Sequence, residues 1–335
     1  MKPYFLITID TEGDNLWARP RSITAHNARY IPRFQDLCDK YGLKPTYLVN
    51  YEIATCPDFV EFGKDIIKGN KAEIGMHLHA WNSPPFHKLT DDDYSHQPYL
   101  IEYPENVIVE KVKFITGLLE DTFGVKMLSH RSGRWAMNEF YAKTLMNLGY
   151  KVDCSVTPHV SWEGEKGNPD AAGGTDYTDF PVGPYFMDDN DIKKPGNTGF
   201  LEVPVTIRKD IRKESTLFKG RYIRKWLHPR LLFSGRREVK RYWLRPNGRN
   251  LDDMSKLIES AVRSKCIYAE FMFHSSELMP GGSPHFKDEP SIDKLYADLE
   301  QLFELAGTDF RGASMIDFYN WFSAKGKSER KDGDV

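Results

Sequence analysis

Four polar clusters in this 335-residue chain follow directly on short apolar runs, and their residue types suit hydrolytic chemistry. The first is Asp10-Thr11-Glu12. Two carboxylates two residues apart on an extended segment point to the same side. One of them can hold a metal ion while the other takes a proton from water. His77-Leu78-His79 repeats the spacing, so both imidazoles can face one point. Imidazole nitrogens with a carboxylate make a usual donor set for Zn²⁺ or a similar divalent ion. Arg131, in His130-Arg131-Ser132-Gly133-Arg134-Trp135, is placed to hold the Asp10 carboxylate bidentately and keep it ionised. His274 ends the apolar run that starts at Tyr268 and opens Ser275-Ser276-Glu277, where it can protonate a leaving amine. Plainer readings exist for each cluster. Asp10 and Asp14 can cap a turn beside a solvated Glu12, the two histidines can be half-buried hydrogen-bonding groups, and Arg131 can serve a structural ion pair or a substrate contact.

Positioning these clusters requires strands that end together. Short β-branched runs at 4–10, 45–51, 72–79, 126–131, 151–156, 200–207 and 267–274 alternate with segments of helical period. Phe34, Leu37, Cys38 and Tyr41 share one helical face, as do Val107, Val109, Val112, Ile115, Leu118 and Leu119. Further helices are predicted over 140–148, 254–262 and 292–305. This alternation indicates parallel βα units. The predicted fold class is α/β, a deformed, TIM-like (β/α) barrel with seven or eight parallel strands and a basic insertion. In such a barrel functional groups sit at the C-terminal ends of the strands, where all four clusters lie. A single domain is expected over 1–323, with a long loop at 157–199, a basic insertion at 208–249 and a disordered tail over 324–335.

Composition bounds the function. The net charge is −2, with 40% apolar and 28% charged residues, as in an ordinary globular protein with a large core. That excludes a disordered chain and a basic protein that coats nucleic acid. The charge is uneven, however: residues 208–249 hold fifteen Lys/Arg against three acids, a local +12 that leaves −14 elsewhere. Tyr222, Trp226, Tyr242 and Trp243 are interleaved with these cations, a composition suited to phosphate groups or an anionic membrane surface. No run approaches the ~20 apolar residues of a membrane helix. The first ten residues read as a core strand rather than a signal peptide, and four widely spaced cysteines show no disulfide or metal pattern, so a cytoplasmic location is expected.

Taken together, the clusters resemble the polysaccharide deacetylase family, metal-dependent carbohydrate esterases of the nodulation-type deacetylase homology group. Thr8-Ile-Asp-Thr-Glu-Gly13 resembles the first motif, Glu73-Ile-Gly-Met-His77 the approach to the metal-binding histidines, and His130-Arg131-Ser-Gly-Arg-Trp135 the Arg-containing motif. Tyr150-Lys-Val-Asp153-Cys-Ser155 is similar to the fourth motif and Phe271-Met-Phe-His274 to the last, and Phe200-Leu-Glu-Val-Pro-Val resembles the strand before it. The resemblance implies Asp10 as base, His274 as acid, Arg131 as the group that holds the base, and Glu12 with His77 as metal ligands. The sequence also departs from the family. Asp-x-Glu replaces adjacent aspartates, leaving Asp14 as a reserve ligand. Trp81 stands four residues after His77, where the second histidine is usual, so His79 substitutes for it, with His87 as the alternative. The Arg motif lacks its proline.

The resemblance implies one divalent metal ion, Zn²⁺ or else Co²⁺, Ni²⁺ or Mn²⁺. The implied reaction removes an N-acetyl or N-formyl group from a sugar or glycan precursor in surface-polysaccharide or lipopolysaccharide biosynthesis. With the basic insertion, the expected substrate is nucleotide- or lipid-linked, with peripheral contact at the inner membrane face through 208–249 and no nucleic acid partner. The alternative is a non-catalytic glycan-binding protein on a decayed deacetylase barrel, which Trp81 favours. Retention of Asp10, Arg131 and His274 together argues against it.

Overall fold

The computed structural model describes residues 2–209 and 240–331. Each apolar run seen in the sequence forms a strand: β1 Tyr4–Thr11, β2 Thr46–Val49, β3 Glu73–Leu78, β4 Ser129–Ser132 and β5 Val152–Asp153, followed after the short β6 Tyr185–Phe186 by β7 Leu201–Glu202. A small hairpin of β8 Ile207–Lys209 and β9 Arg241–Trp243 precedes β10 Tyr268–His274 and β11 Arg311–Ala313. The main sheet runs β10-β1-β2-β3-β4-β5-β7-β6, with β11 on the start of β1. All its pairings are parallel except β6 with β7. The sheet curls on itself. Its gap is bridged by single backbone bonds from Leu244 to Thr206 (3.0 Å) and from Met272 to Leu244 (3.2 Å). This is the expected deformed (β/α) barrel.

Alternation along β1 sorts its residues into two layers. Phe5, Ile7 and Ile9 pack outward in the large core shared with the surrounding helices. Tyr4 and Leu6 turn inward and join Leu48, Val152 and Leu201 in a smaller cluster inside the barrel. Further up the same inward face stand Thr8 and Asp10, so the barrel interior is apolar at its base and polar at its mouth. The outer helices are α1 Ile31–Lys40, α2 Tyr51–Ala54, α3 Pro57–Lys68, α4 Asp93–His96, α5 Glu105–Phe123, α6 Glu139–Asn147, α7 Leu251–Arg263 and α8 Glu289–Asp309. The final helix, α9 Met315–Lys331, plugs the base: Phe318 packs edge-on against Tyr4 (5.3 Å between ring centres) and tilted against Tyr268 (5.6 Å).

Two sequence expectations change here. Helix α9 continues to Lys331 through the region read as a tail beginning at Ala324. Its first turns are anchored by buried Met315 and Phe318, and Ala324, Lys325, Lys327, Glu329, Arg330 and Lys331 are good helix formers that carry the helix past Gly326 and Ser328. Segment 157–199 is more ordered than a loop. It carries β6 and bridges Ser161–Asp176 and Met187–Pro195, and it buries Tyr177, Met187 and Ile192. Of the basic run 208–249, residues 208–209 and 240–249 are described; Tyr222 and Trp226 lie outside the described residues. None of the four cysteines forms a disulfide, and among the described residues no helix is long and apolar enough to cross a membrane.

Candidate active site and metal centre

The mouth of the barrel is a cleft of about 250 Å³, and Asp10, Glu12, His77, His79 and His274 all line it. Strand geometry brings them together. β1 pairs in parallel with β10 so that Asp10 lies beside His274, and β3 pairs with β4 so that His77 lies beside Arg131.

Glu12, His77 and His79 are buried, and their ligand atoms lie within 4.8 Å of one another. Glu12 Oε2 is 2.8 Å from His79 Nε2 and 3.5 Å from His77 Nε2, and the two imidazole nitrogens are 3.0 Å apart. His77 Nδ1 donates to the Arg131 carbonyl oxygen at 2.9 Å. That bond leaves the Nε2 lone pair of the neutral ring directed at Glu12 and His79, the arrangement by which outer hydrogen bonds orient metal-binding histidines. Two nitrogens and a carboxylate oxygen converging in a buried site fit a divalent ion such as Zn²⁺. Burial lowers His77, but Asp10 and Glu12 outweigh it and hold its pKa above the ordinary value, so a metal ion bound there would displace a proton. Burial raises the Glu12 carboxyl, but His274, His77 and His79 outweigh it and hold the pKa well below the usual carboxylate range. Burial and the neighbouring His77 charge keep His79 below its ordinary value.

His87 and Asp14, the reserve ligands, are not in this cluster. His87 is a half-buried residue 3.3 Å from Glu110, because the Trp81-Asn-Ser-Pro-Pro segment carries it away from the barrel axis. Asp14 instead braces its own loop, accepting bonds from Thr24 Oγ1 (2.7 Å) and from the backbone of His26 and Asn27 (both 2.9 Å). The imidazole of His79 packs on Trp81, with ring centres 4.4 Å apart. Its other flank requires a glycine: a Cβ on Gly133 would strike the Leu78 carbonyl oxygen and stand 2.8 Å from His79 Nδ1. Gly133→Ala is therefore expected to cost about 1–3 kcal/mol by overpacking and to weaken metal binding, as thermal unfolding and a metal titration would read.

Arg131 is fully buried and divides its donors rather than gripping Asp10 with both. Nη1 donates to Asp10 Oδ1 at 2.7 Å, Nη2 to Thr8 Oγ1 (2.7 Å) and Glu270 Oε1 (2.6 Å), and Nε to the Cys154 carbonyl (3.0 Å). The expected bidentate pair is thus a single bond, because Thr8 and Glu270 on the inner faces of β1 and β10 take the second arm of the fork. Burial alone would raise the Asp10 carboxyl; the Arg131 charge, with His77 and His274, outweighs it and holds Asp10 below the usual range. Asp10 is therefore ionised, and its Oδ2 lies 3.6 Å from His274 Nε2.

His274 has a partner that the sequence did not indicate. Arg245 Nη2 lies 3.0 Å from His274 Nδ1, and Arg245 also pairs with buried Glu277 at 3.5 Å. Nδ1 faces two groups, the Arg245 donor at 3.0 Å and the Glu277 carboxylate at 3.3 Å: the first sets the proton of a neutral ring on Nε2, the second supports a ring protonated at both nitrogens, and in either state Nε2–H faces Asp10 and Glu12. Trp17 packs edge-on against the same imidazole, 4.8 Å between ring centres. Nothing local marks Arg245 in the sequence; it is one of fifteen cations in its run. His130, by contrast, turns outward from β4, bonding Asp153 (2.6 Å) and the Tyr141 hydroxyl (2.7 Å), so Asp153 of the fourth motif supports the wall rather than the cleft.

The rest of the cleft is aromatic, with Trp17, Trp81, Tyr99, Trp135 and Trp162 around it and Arg134 at its edge. Arg134 and Trp135 have φ of 54° and 66°, the left-handed region that non-glycine residues rarely enter. That strained turn places the Trp135 ring 4.9 Å from the Arg131 guanidinium and the Arg134 guanidinium 4.0 Å from the Tyr99 ring.

No family model and no curated protein sequence matches the chain. Solved structures share its fold. A "putative polysaccharide deacetylase" from Mycobacterium smegmatis is 15% identical with a TM-score of 0.55, over 97% of this chain and 92% of its own. A "putative glycoside hydrolase/deacetylase" from Parabacteroides distasonis is 11% identical with a TM-score of 0.60, over 95% and 70%. The 4-alpha-glucanotransferase from Thermococcus litoralis is 10% identical with a TM-score of 0.51, over 96% of this chain and 40% of that one. The chain thus has the barrel that the motif resemblance implied.

Proposed function

We propose that the protein is a metal-dependent hydrolase that removes an N-acyl group from a sugar. The observation that carries this reading is the convergence of Glu12, His77 and His79 on one point, with Asp10 and His274 flanking it in the same cleft. A divalent ion held by these three side chains, Zn²⁺ first among the candidates, would supply a Lewis acid for an acyl carbonyl and for a water nucleophile.

The protein's own groups account for the proton transfers. Asp10, ionised and held through Oδ1 by Arg131, presents Oδ2 to take a proton from the attacking water. The carbon–nitrogen bond then breaks, and His274 Nε2 gives its proton to the leaving nitrogen. Free amine and carboxylic acid result. At Nδ1, Arg245 as donor holds the proton of a neutral His274 on Nε2, and Glu277 as acceptor supports the protonated ring. The indole rings suit the apolar faces of a sugar, and Gln97 and Arg134 offer it hydrogen bonds. The local excess of cations supports an acylated precursor carried on a nucleotide or a lipid during surface-polysaccharide assembly, and four unpaired cysteines suit a reducing cytoplasm.

Metal content of the purified protein, read by mass spectrometry beside a His79→Ala variant, tests the site. About one ion per chain is expected in the wild type, falling well below stoichiometric in the variant, together with acetate or formate release from acylated hexosamines by the wild type alone. No metal under any loading condition would overturn the reading. It would leave the glycan-binding alternative, which the packing of Trp81 against His79 favours.

A further inference from the structure

The catalytic cleft does not end at His274. Trp17 and Arg245 line it and also line a second hollow of about 450 Å³, which continues through Asn247, Arg249 and His285 into a third of about 420 Å³. Shared lining residues set the three side by side, as a trough in three parts that leads from the Glu12, His77 and His79 cluster across the 240–250 segment to the start of α8. Its walls are cationic: Lys240, Arg241, Arg245 and Arg249 in the second hollow, with Lys287 and again Arg249 in the third. Two acids face them, and both are engaged. Asp253 lies 3.5 Å from Lys240, and Asp288 accepts the Ser291 backbone N–H at 3.0 Å as the N-cap of α8. Among the described residues Arg241, Arg249 and Lys287 have no carboxylate partner.

We propose that this trough binds the phosphate groups of the substrate, so that the acylated sugar enters the cleft while a diphosphate joined to it lies along Arg241, Arg249 and Lys287. The proposal rests on the deacylase reading for the sugar and adds the site for the carrier. Three observations support it. The trough adjoins the cleft and shares Trp17 and Arg245 with it, which is where a covalently attached tail would lie. Its cations are unused by the catalytic groups apart from Arg245. The chain as a whole is slightly acidic, so a cationic path that starts at the active site is a local feature and not a general excess of charge. Guanidinium groups bind phosphate oxygens through paired, charge-assisted bonds, and at exposed positions such bonds weaken as salt rises. A nucleoside diphosphate and a polyprenyl diphosphate present the same chemistry here.

The test compares the metal-loaded full chain with an Arg249→Glu/Lys287→Glu double variant. Both side chains are exposed, so the fold tolerates the change, and unchanged metal content and thermal midpoint verify it. One arm titrates uridine diphosphate by calorimetry; the other measures co-sedimentation with phosphatidylcholine vesicles with and without polyprenyl diphosphate. The wild type is expected to bind one of the two, and the double variant to bind it about ten- to a hundredfold more weakly, with wild-type binding falling as salt is raised. The tighter arm identifies the carrier. Binding of neither probe, or binding that the charge reversal leaves unchanged because the metal alone holds the phosphate, would overturn the proposal. So would binding that only a long polyanion such as heparin can displace. Hydrolysis of simple acylated hexosamines without charge-dependent diphosphate binding would remove the trough alone. Charge-dependent binding without metal or hydrolysis would remove the deacylase reading alone.

Discussion

Asp10→Asn is expected to lower kcat by about 10² to 10⁴, the range for removal of a general base, while the protein retains one metal ion per chain. Asparagine matches aspartate in shape and still offers an oxygen to Arg131, so the cleft keeps its form. It cannot accept the proton of the attacking water. The proposed ligands Glu12, His77 and His79 are untouched, and this separates the base from the candidate metal site. Steady-state kinetics on an acylated hexosamine, with metal content measured on the same preparation, reads both quantities. Turnover near the wild-type rate would remove Asp10 from the base role. Parallel loss of metal and rate would make it part of the metal site.

Arg131→Met is expected to destabilise the protein by about 3–5 kcal/mol, as removal of one partner from a buried ion pair does. Its guanidinium is 0% exposed and is the cation bonded to both Asp10 and Glu270 inside the barrel. Burial already pushes the Glu270 carboxyl above the usual range, with Arg131 opposing that push. With the cation gone, two acids and the Thr8 hydroxyl face an apolar side chain. Arg131→Lys restores charge but not the three-way fork, so its stability should fall between those of the wild type and the methionine variant. Denaturant unfolding of the three proteins gives the comparison. A loss below about 1 kcal/mol for Arg131→Met would mean that the network does not hold the barrel mouth together. Because Arg131 acts through Asp10, its lysine variant should recover part of kcat as well.

The features legible in the sequence are those set by local period. β1, β3 and β10 and helices α1, α5, α6, α7 and α8 follow from apolar residues recurring every two or every three to four positions. The same two-residue period put Asp10 with Glu12, and His77 with His79, on common faces before any fold was known. Helix α9 was missed although Phe318, Trp321 and Phe322 recur at helical spacing; what fixes it is the packing of Phe318 on Tyr4 and Tyr268, Trp321 on Tyr4 and Phe322 on Phe186, all contacts between residues far apart in sequence.

Tertiary structure decided the choices that spacing left open. His79 and not His87 meets Glu12, because the chain after β3 turns His79 inward against Gly133 and carries His87 out to Glu110. Asp14 lost its reserve role to the loop it braces. Arg131 gave only one bond to Asp10, since parallel pairing of β1 with β10 set Glu270 beside it. Arg245 reached His274 through the hairpin segment that closes the barrel. The sequence alone determined which side chains share a strand face, because that depends on neighbours along the chain. Which of those faces meet depends on contacts between residues far apart in sequence, and only the curled sheet supplies them.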